Sequence, residues 1–346
     1  MVNRSGVWDL RQVGVNEVNQ LWKTLYLNQR AVFMGGSGYA AGSSDAGTNV
    51  DYRNTIDFVT ITTDGDASDF GDLTKHKHFN TSAASSTTRT VNMGGTIADN
   101  DGGTNAAATS TVIDYITLAT TGNATDFGDL AVGMQSNGGV GNSTRAVSGG
   151  GLNASSSRTN EMQYITIATT GNATDFGDRT YGAEEVGGNI QNTTRGIFFG
   201  GNAGGSGGGR RDSIDFITIA STGNATDFGD LTVICAEGYG CSSPTRGVRS
   251  GGGNNQATNT LEFVTIASAG DGTDFGDLRT ANRRHVSASN HTKGLIAGGN
   301  SHADNDEIQK ITIASAGNAT DFGDMTVGRF SAQSFGAASG AHGGLG

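Results

Sequence analysis

Proline occurs once in the 346 residues, at Pro244, and cysteine twice, at Cys235 and Cys241. Two cysteines in one short stretch build no disulfide framework and read as idle thiols of a reducing compartment. No apolar run approaches the length that a membrane helix requires, which predicts no membrane insertion. The opening MVNRSGVWDL also lacks the apolar core of a secretory signal, so synthesis in a cytoplasm without classical export is expected. Basic residues are scarce, 22 Lys and Arg against 33 Asp and Glu, and the net charge of −11 opposes nucleic-acid binding, which needs a concentrated basic surface. Apolar residues are only 34% of the chain while glycine supplies 57 positions. Such a composition folds when small units bury their faces against one another, and a clear period excludes a disordered glycine-rich polymer.

That period is carried by TGNATDFGDL, residues 121–130. Its Asp126-Phe127-Gly128 is the tripeptide that holds magnesium in protein kinases, but the glycine-rich loop, strand lysine and HRD-type loop that must accompany it are missing. The stretch also recurs, with the aspartate before the phenylalanine at Asp69, Asp126, Asp175, Asp227, Asp274 and Asp321, so that the spacings are 57, 49, 52, 47 and 47 residues. A residue needed six times is architecture rather than a catalytic centre. Periods in this range signal a solenoid or a propeller.

Each unit repeats the same internal order. A short run closed by two glycines comes first, as in AVFMGG (31–36), TVNMGG (90–95) and GIFFGG (196–201). After a polar, glycine-rich loop follows an alternating segment, as in IDFVTI (56–61), IDYITL (113–118) and MQYITI (162–167), whose period of two and β-branched content mark a strand buried on both faces. A Thr-Gly-Asn turn then leads into DFGD. The stretch TVGRFSAQSFGAASG near the C-terminus reads as a further first strand, and the chain ahead of AVFMGG has none.

This order resembles the kelch repeat, with its Gly-Gly second strand and Tyr-bearing third strand. Gly35-Gly36, Gly94-Gly95, Gly200-Gly201 and Gly298-Gly299 match most specifically, and Phe58, Tyr115, Tyr164, Phe216 and Phe263 stand where kelch has its tyrosine. Lys310 breaks that series. The kelch tryptophan is absent, and Phe70, Phe127, Phe176, Phe228, Phe275 and Phe322 stand near its place. The resemblance implies an all-β, six-bladed kelch-like β-propeller of four-stranded blades over residues 31–346. Repeats end near 73, 130, 179, 231, 278 and 325, and residues 326–346 supply a closing strand for the first blade. Blades stacked around an axis bury both faces of a small polar sheet, and the double glycines are expected where strands crowd near the channel.

The repeated polar residues have two readings each. Asp64-Gly65-Asp66-Ala67-Ser68-Asp69 offers calcium three carboxylates, but the other turns read TGNATD and lack an EF-hand's acidic ligand set. Turn residues bonding their own backbone are the favoured account. Arg30, Arg89, Arg145, Arg195, Arg246 and Lys293 precede the Gly-Gly strand in all six units. They read as structural bridges to repeat aspartates such as Asp126 or Asp129, with a ring receiving an anionic ligand as the alternative. KHKH (75–78) occurs once, in an expected loop, so neither a metal nor another cofactor is predicted. The His, Tyr and Arg sets of galactose-oxidase-like and sialidase propellers are missing, and no enzymatic activity is expected.

Residues 1–30 fall outside the repeat. They hold both tryptophans, and Val15, Val18, Leu21, Trp22 and Leu25 follow helical spacing. Trp8, Leu10, Val18, Leu21, Trp22 and Leu25 are the expected partner-docking residues of a short helical anchor. An anchor of the type GVWDLRQV followed by glycine-, serine- and asparagine-rich blades with ITIATTGNATDFGDL resembles virion proteins of tailed, especially marine, bacteriophages. That resemblance implies a multi-copy structural protein of the tail, fibre or capsid. Other virion proteins would be partners through the N-terminal segment, and a host-surface glycan or protein through the loops. A cellular kelch-like interaction module and a lectin or enzyme propeller are the competing classes.

Overall fold

The computed structural model describes residues 30–39, 50–79, 82–98, 106–204, 209–254, 256–299, 305–329 and 336–339. Every element among them is a β-strand, and the strands form seven antiparallel sheets, six of them arranged as the blades of a propeller and the seventh a two-stranded ribbon of Met134–Gln135 with Leu152–Asn153. The expected N-terminal helix, with Trp8, Leu10, Val18, Leu21, Trp22 and Leu25, lies outside the described residues.

Blades two to six each take four strands that pair in chain order; Thr96–Ala98 and Ala106–Thr109 interrupt blade two to extend the sheet of blade one, and Leu152–Asn153 interrupts blade three. The four strands are Ser82–Ser85, Arg89–Met93, Val112–Thr117 and Thr125–Asp129 in blade two, then Gly138–Gly141, Arg145–Gly149, Glu161–Thr166 and Thr174–Asp178 in blade three. Blade four comprises Gly187–Gln191, Arg195–Phe199, Arg211–Thr218 and Thr226–Cys235, and blade five Tyr239–Ser242, Arg246–Ser250, Thr258–Thr265 and Thr273–Asn282. Blade six comprises Val286–Ser289, Lys293–Ala297, Glu307–Thr312 and Thr320–Asp324. Blade one contains Arg30–Met34, Val50–Thr60 and Ser68–His78, and its Arg30–Met34 pairs on the other side with Gly336–Ser339, Ala31 opposite Ser339 and Met34 opposite Gly336.

The hydrophobic core lies between blades rather than within them, as expected when one thin sheet has two covered faces. Six clusters among the described residues each draw on two neighbouring sheets. Phe127, Val91 and Met93 of blade two, for example, pack with Ile165, Ile167 and Ala173 of blade three. Ala31, Phe33, Val59 and Ile61 of blade one pack with Leu295, Ile308 and Phe322 of blade six, which brings the two ends of the array together.

The first strands surround the axis with small residues, as in Ser82-Ala83-Ala84-Ser85 and Gly138-Gly139. A Cβ on Gly139 would lie 2.7 Å from the Ala83 nitrogen, so these backbones are in direct contact. Asn189 crosses the axis from blade four and donates its side-chain amide to the Ser287 carbonyl of blade six at 3.0 Å.

The double glycines follow a different rule from the crowding expected near the channel. They terminate the second strand of each blade with positive φ, 75° at Gly94 and 94° at Gly95, and a Cβ on Gly94 would sit 2.5 Å from the Met134 carbonyl oxygen. Backbone conformation and approach of the neighbouring chain select glycine there. The KHKH stretch is not a loop: Lys75 to His78 complete the long fourth strand of blade one, which pairs onward through Lys77–Ile97 and His78–Thr96.

Candidate functional site

The strand directions put two kinds of connection on opposite faces. One face carries the short turns between first and second strands and the Thr-Gly-Asn turns between third and fourth. The other carries the connections after the double glycines and those leading from one blade to the next.

On the turn face the repeat motif is a clasp between blades. The Gly171 N–H donates to the Phe127 carbonyl at 2.8 Å and the Ala173 N–H to the Asp129 carbonyl at 2.8 Å, while the Asn172 side chain accepts from the Asp129 N–H at 3.1 Å. The same three bonds recur at every junction, including the one from blade six to blade one. There Gly65 donates to the Phe322 carbonyl at 2.9 Å and Asp66 replaces the asparagine as acceptor of the Asp324 N–H at 3.1 Å. The asparagine thus serves the preceding blade and not its own turn, which corrects the local Asx-turn expectation. Asp69, Asp126, Asp175, Asp227, Asp274 and Asp321 are all exposed, and Asp321 accepts from Arg279 at 2.7 Å.

Each repeat phenylalanine is buried, and five of the six meet the third-strand aromatic of their own blade edge to face, as Phe127 does with Tyr115 at 5.9 Å, Phe176 with Tyr164 at 5.8 Å and Phe228 with Phe216 at 5.9 Å. Phe70 pairs in this way with Phe58 at 5.7 Å and Phe275 with Phe263 at 6.3 Å. Phe322 has Lys293 over its ring at 6.0 Å, because Lys310 stands in the aromatic position of that blade.

The basic row stacks on these rings instead of bridging to Asp126 or Asp129. Arg89 lies 4.6 Å over Tyr115, Arg145 4.6 Å over Tyr164, Arg195 4.5 Å over Phe216 and Arg246 4.3 Å over Phe263. Each also donates to a carbonyl of the next blade: Arg89 to Ala168 at 2.9 Å, Arg145 to Ile219 at 3.2 Å, Arg195 to Ile266 at 3.0 Å and Arg246 to Ala314 at 2.8 Å. A planar guanidinium does both jobs at once, which explains the near-exclusive use of arginine.

A second layer of polar junctions gave no repeat signal in the sequence. Asp57, Asp114, Asp215 and Glu262 are buried at one position of the third strand and are paired with Arg329 at 2.7 Å, Lys77 at 2.7 Å, Arg179 at 2.9 Å and Arg249 respectively. Blades three and six have Gln163 and Gln309 there, which accept from backbone N–H groups of the preceding blade.

On the loop face a cluster of charge underlies the connections of blades three to five. Phe79, Ser136, Glu185, Glu237 and Arg284 occupy equivalent places before a first strand, all with φ between 55° and 60°. Their backbones run on from blade to blade, with Ser136 donating to the Phe79 carbonyl at 2.9 Å and Arg284 to the Glu237 carbonyl at 2.9 Å. The Glu237 carboxylate receives Arg283 at 3.2 Å and Arg284 at 2.6 Å, Glu185 faces Arg210 at 3.8 Å, and Glu184 bonds Arg158. Burial first, and then the neighbouring Glu237 and Glu184, raise the Glu185 carboxyl well above the usual carboxylate range. Both the Glu185 and the Glu237 side chains lie below the surface.

No group of three His, Cys, Asp or Glu with metal-binding geometry occurs among the described residues. Cys235 and Cys241 are buried free thiols, and burial pushes the Cys241 thiol up to about 12, far from reactive. His78 stacks on Tyr52 at 3.9 Å, and burial holds it down at about 3.

No family model matches the chain, and no curated protein matches it in sequence. Among solved structures it is similar to that of YjhT, with a TM-score of 0.61 at 12% identity over 83% of this chain and 96% of YjhT, a likeness of fold alone.

Proposed function

We propose that the protein is a non-enzymatic structural protein of a phage virion. In this reading a kelch-like propeller is displayed from the tail, fibre or capsid for host-surface attachment or particle assembly. The observation that carries the non-enzymatic part is the commitment of the repeated polar residues. The Asn and Arg rows that a six-fold binding chemistry would use are engaged in contacts between blades, and sequence variation concentrates in the opposite, double-glycine loops. Recognition elements on a rigid scaffold follow that division.

The virion setting rests on the resemblance of GVWDLRQV and the ITIATTGNATDFGDL repeats to phage virion proteins. Residues 1–30 serve as the docking element toward other virion proteins, since apolar area contributes roughly 25 cal/mol per Å² buried and both tryptophans are there. The glycine-, serine- and asparagine-rich loops suit weak, multivalent contact with a host glycan or protein. Synthesis in the host cytoplasm and several copies per particle complete the proposal. The C-terminal strand acts as the ring's fastener, because Gly336–Ser339 completes the sheet begun by Arg30–Met34.

The test is co-purification with phage particles. The full chain should band with particles, and a protein lacking residues 2–27 should fold yet fail to incorporate. Normal incorporation of that truncated protein would move attachment to the blades, and absence of the full chain from particles would overturn the virion role. The Glu185–Glu237 cluster is the one observation favouring a polar-ligand propeller, a lectin or enzyme. Glycan-array binding lost on Arg284→Ala would support that class instead.

A further inference from the structure

Of the four buried ion pairs between a basic side chain and a third-strand acid among the described residues, three use arginine and one uses lysine. Lys77 and Arg329 stand at equivalent places, each seven residues after the repeat phenylalanine of its blade. Arg329 pairs with Asp57 and donates to the Thr55 and Phe33 carbonyls of the next blade. Lys77 pairs with Asp114 and donates to the Val112 carbonyl at 3.0 Å, the counterpart of Thr55. The second change at this junction is in the second strand. Where the other blades have Phe33, Ser148, Phe198, Arg249 and Ile296, blade two has Asn92. Its carboxamide oxygen lies 3.5 Å from the Lys77 amine. Lys77 and Asn92 are fully buried, Asp114 nearly so, and the Thr74 hydroxyl bonds the other oxygen of Asp114.

An amine, a carboxamide and a carboxylic acid, enclosed together away from water, are the components of an amide exchange. Arginine at the same place would satisfy Asp114 as well as Lys77 does, but a guanidinium cannot serve as the nucleophile. We propose that Lys77, Asn92 and Asp114 form an autocatalytic cross-linking site that joins blade one to blade two through a Lys77–Asn92 isopeptide bond.

The step balances without a co-reactant. The attacking amine must be neutral, and Asp114, 2.7 Å from Lys77 Nζ, is the group placed to take its proton. Lys77 Nζ attacks Asn92 Cγ, with the Asp114 carboxyl hydrogen-bonded to the carboxamide and polarising it. The tetrahedral species expels the side-chain nitrogen as ammonia, which takes the proton lost by Nζ. One C–N bond forms, one breaks, and Asp114 retains the proton it received. Asp114 is the acid–base group, held in place by Thr74.

The product is lighter than the sequence by one ammonia, about 17 Da. Intact-mass spectrometry of the folded full chain should show that deficit, and proteolysis should give a branched peptide joining the Lys77 and Asn92 segments. Lys77→Arg, which reproduces the Arg329 junction, should fold and carry its full sequence mass, as should Asn92→Ser, the residue of blade three. Asp114→Asn should leave Lys77 and Asn92 unlinked, so that no branched peptide is recovered. A wild-type protein of full sequence mass would overturn the proposal. So would a linear peptide in which ammonia has been lost from Asn92 alone, the signature of a succinimide.

Discussion

Gly128 faces the backbone of Gly171 in the next blade so closely that a Cβ on Gly128 would lie 2.5 Å from the Gly171 carbonyl oxygen. Its φ of 143° is a second reason for glycine, and the ladder register shifts here between Asp126 and Gly128. The third residue of Asp-Phe-Gly is therefore fixed by a blade-to-blade contact and not by a metal. Gly128→Ala should lower stability by about 2–4 kcal/mol, combining backbone strain with displacement of the turn. Chemical denaturation measures it, and a loss below about 0.5 kcal/mol would show that the clasp yields without cost.

Phe127 is buried between blades two and three with Met93, Ile165 and Ala173 around it. Phe127→Ala should cost about 3–5 kcal/mol, a transfer loss plus a cavity. A loss below about 1 kcal/mol in the same denaturation experiment would mean that the blades collapse around the vacancy.

The Arg329–Asp57 pair joins the segment after blade six to the third strand of blade one. Arg329→Ala leaves Asp57 buried without its cation and should destabilise by about 3–5 kcal/mol. Deleting residues 329–346 removes both that cation and the strand opposite Arg30–Met34. The truncated chain should lose its cooperative thermal transition, and an unchanged melting curve would sink the fastening role of the C-terminal strand.

His285 is fully buried, its Nε2 2.8 Å from the Ser250 hydroxyl, and burial with the nearby Arg249 holds it at about 3 against an ordinary 6.5. Between these values the unfolded chain binds a proton that the folded one refuses. Stability is thus fully present above pH 6.5 and falls as the pH drops through the window, by up to about 1.4 kcal/mol per pH unit for this group. His285→Gln should narrow the stability difference between pH 7 and pH 5, read from denaturation midpoints. An identical difference in both proteins would place the acid sensitivity elsewhere.

Sequence legibility followed repetition. Phe127, Gly128, Asn172 and Arg89 recur in register, so a shared task could be read from them, and the six blades with it. The partners were harder to read, since the hydrogen-bonding ones lie in the neighbouring blade. Arg89 was expected on an aspartate and reaches Ala168 and the Tyr115 ring instead. Lys77–Asp114 and Arg179–Asp215 stayed hidden because the basic residue stands at different offsets from its repeat phenylalanine, seven residues at Lys77 and three at Arg179. Asn189 gave no signal at all, as its left-handed backbone and its reach to Ser287 belong to one blade only.

The segregation of clasps and double-glycine loops to opposite faces also bears on how such a chain can change over generations. A loop of any length after Gly200-Gly201 or Gly251-Gly252 leaves the Thr-Gly-Asn turns on the far face untouched. Mutation can explore one surface freely while the other keeps the ring assembled. Because each clasp is written in the same few residues, a duplicated blade would carry its own compatible joints, and recombination between repeats becomes a route to new surfaces rather than to misfolding.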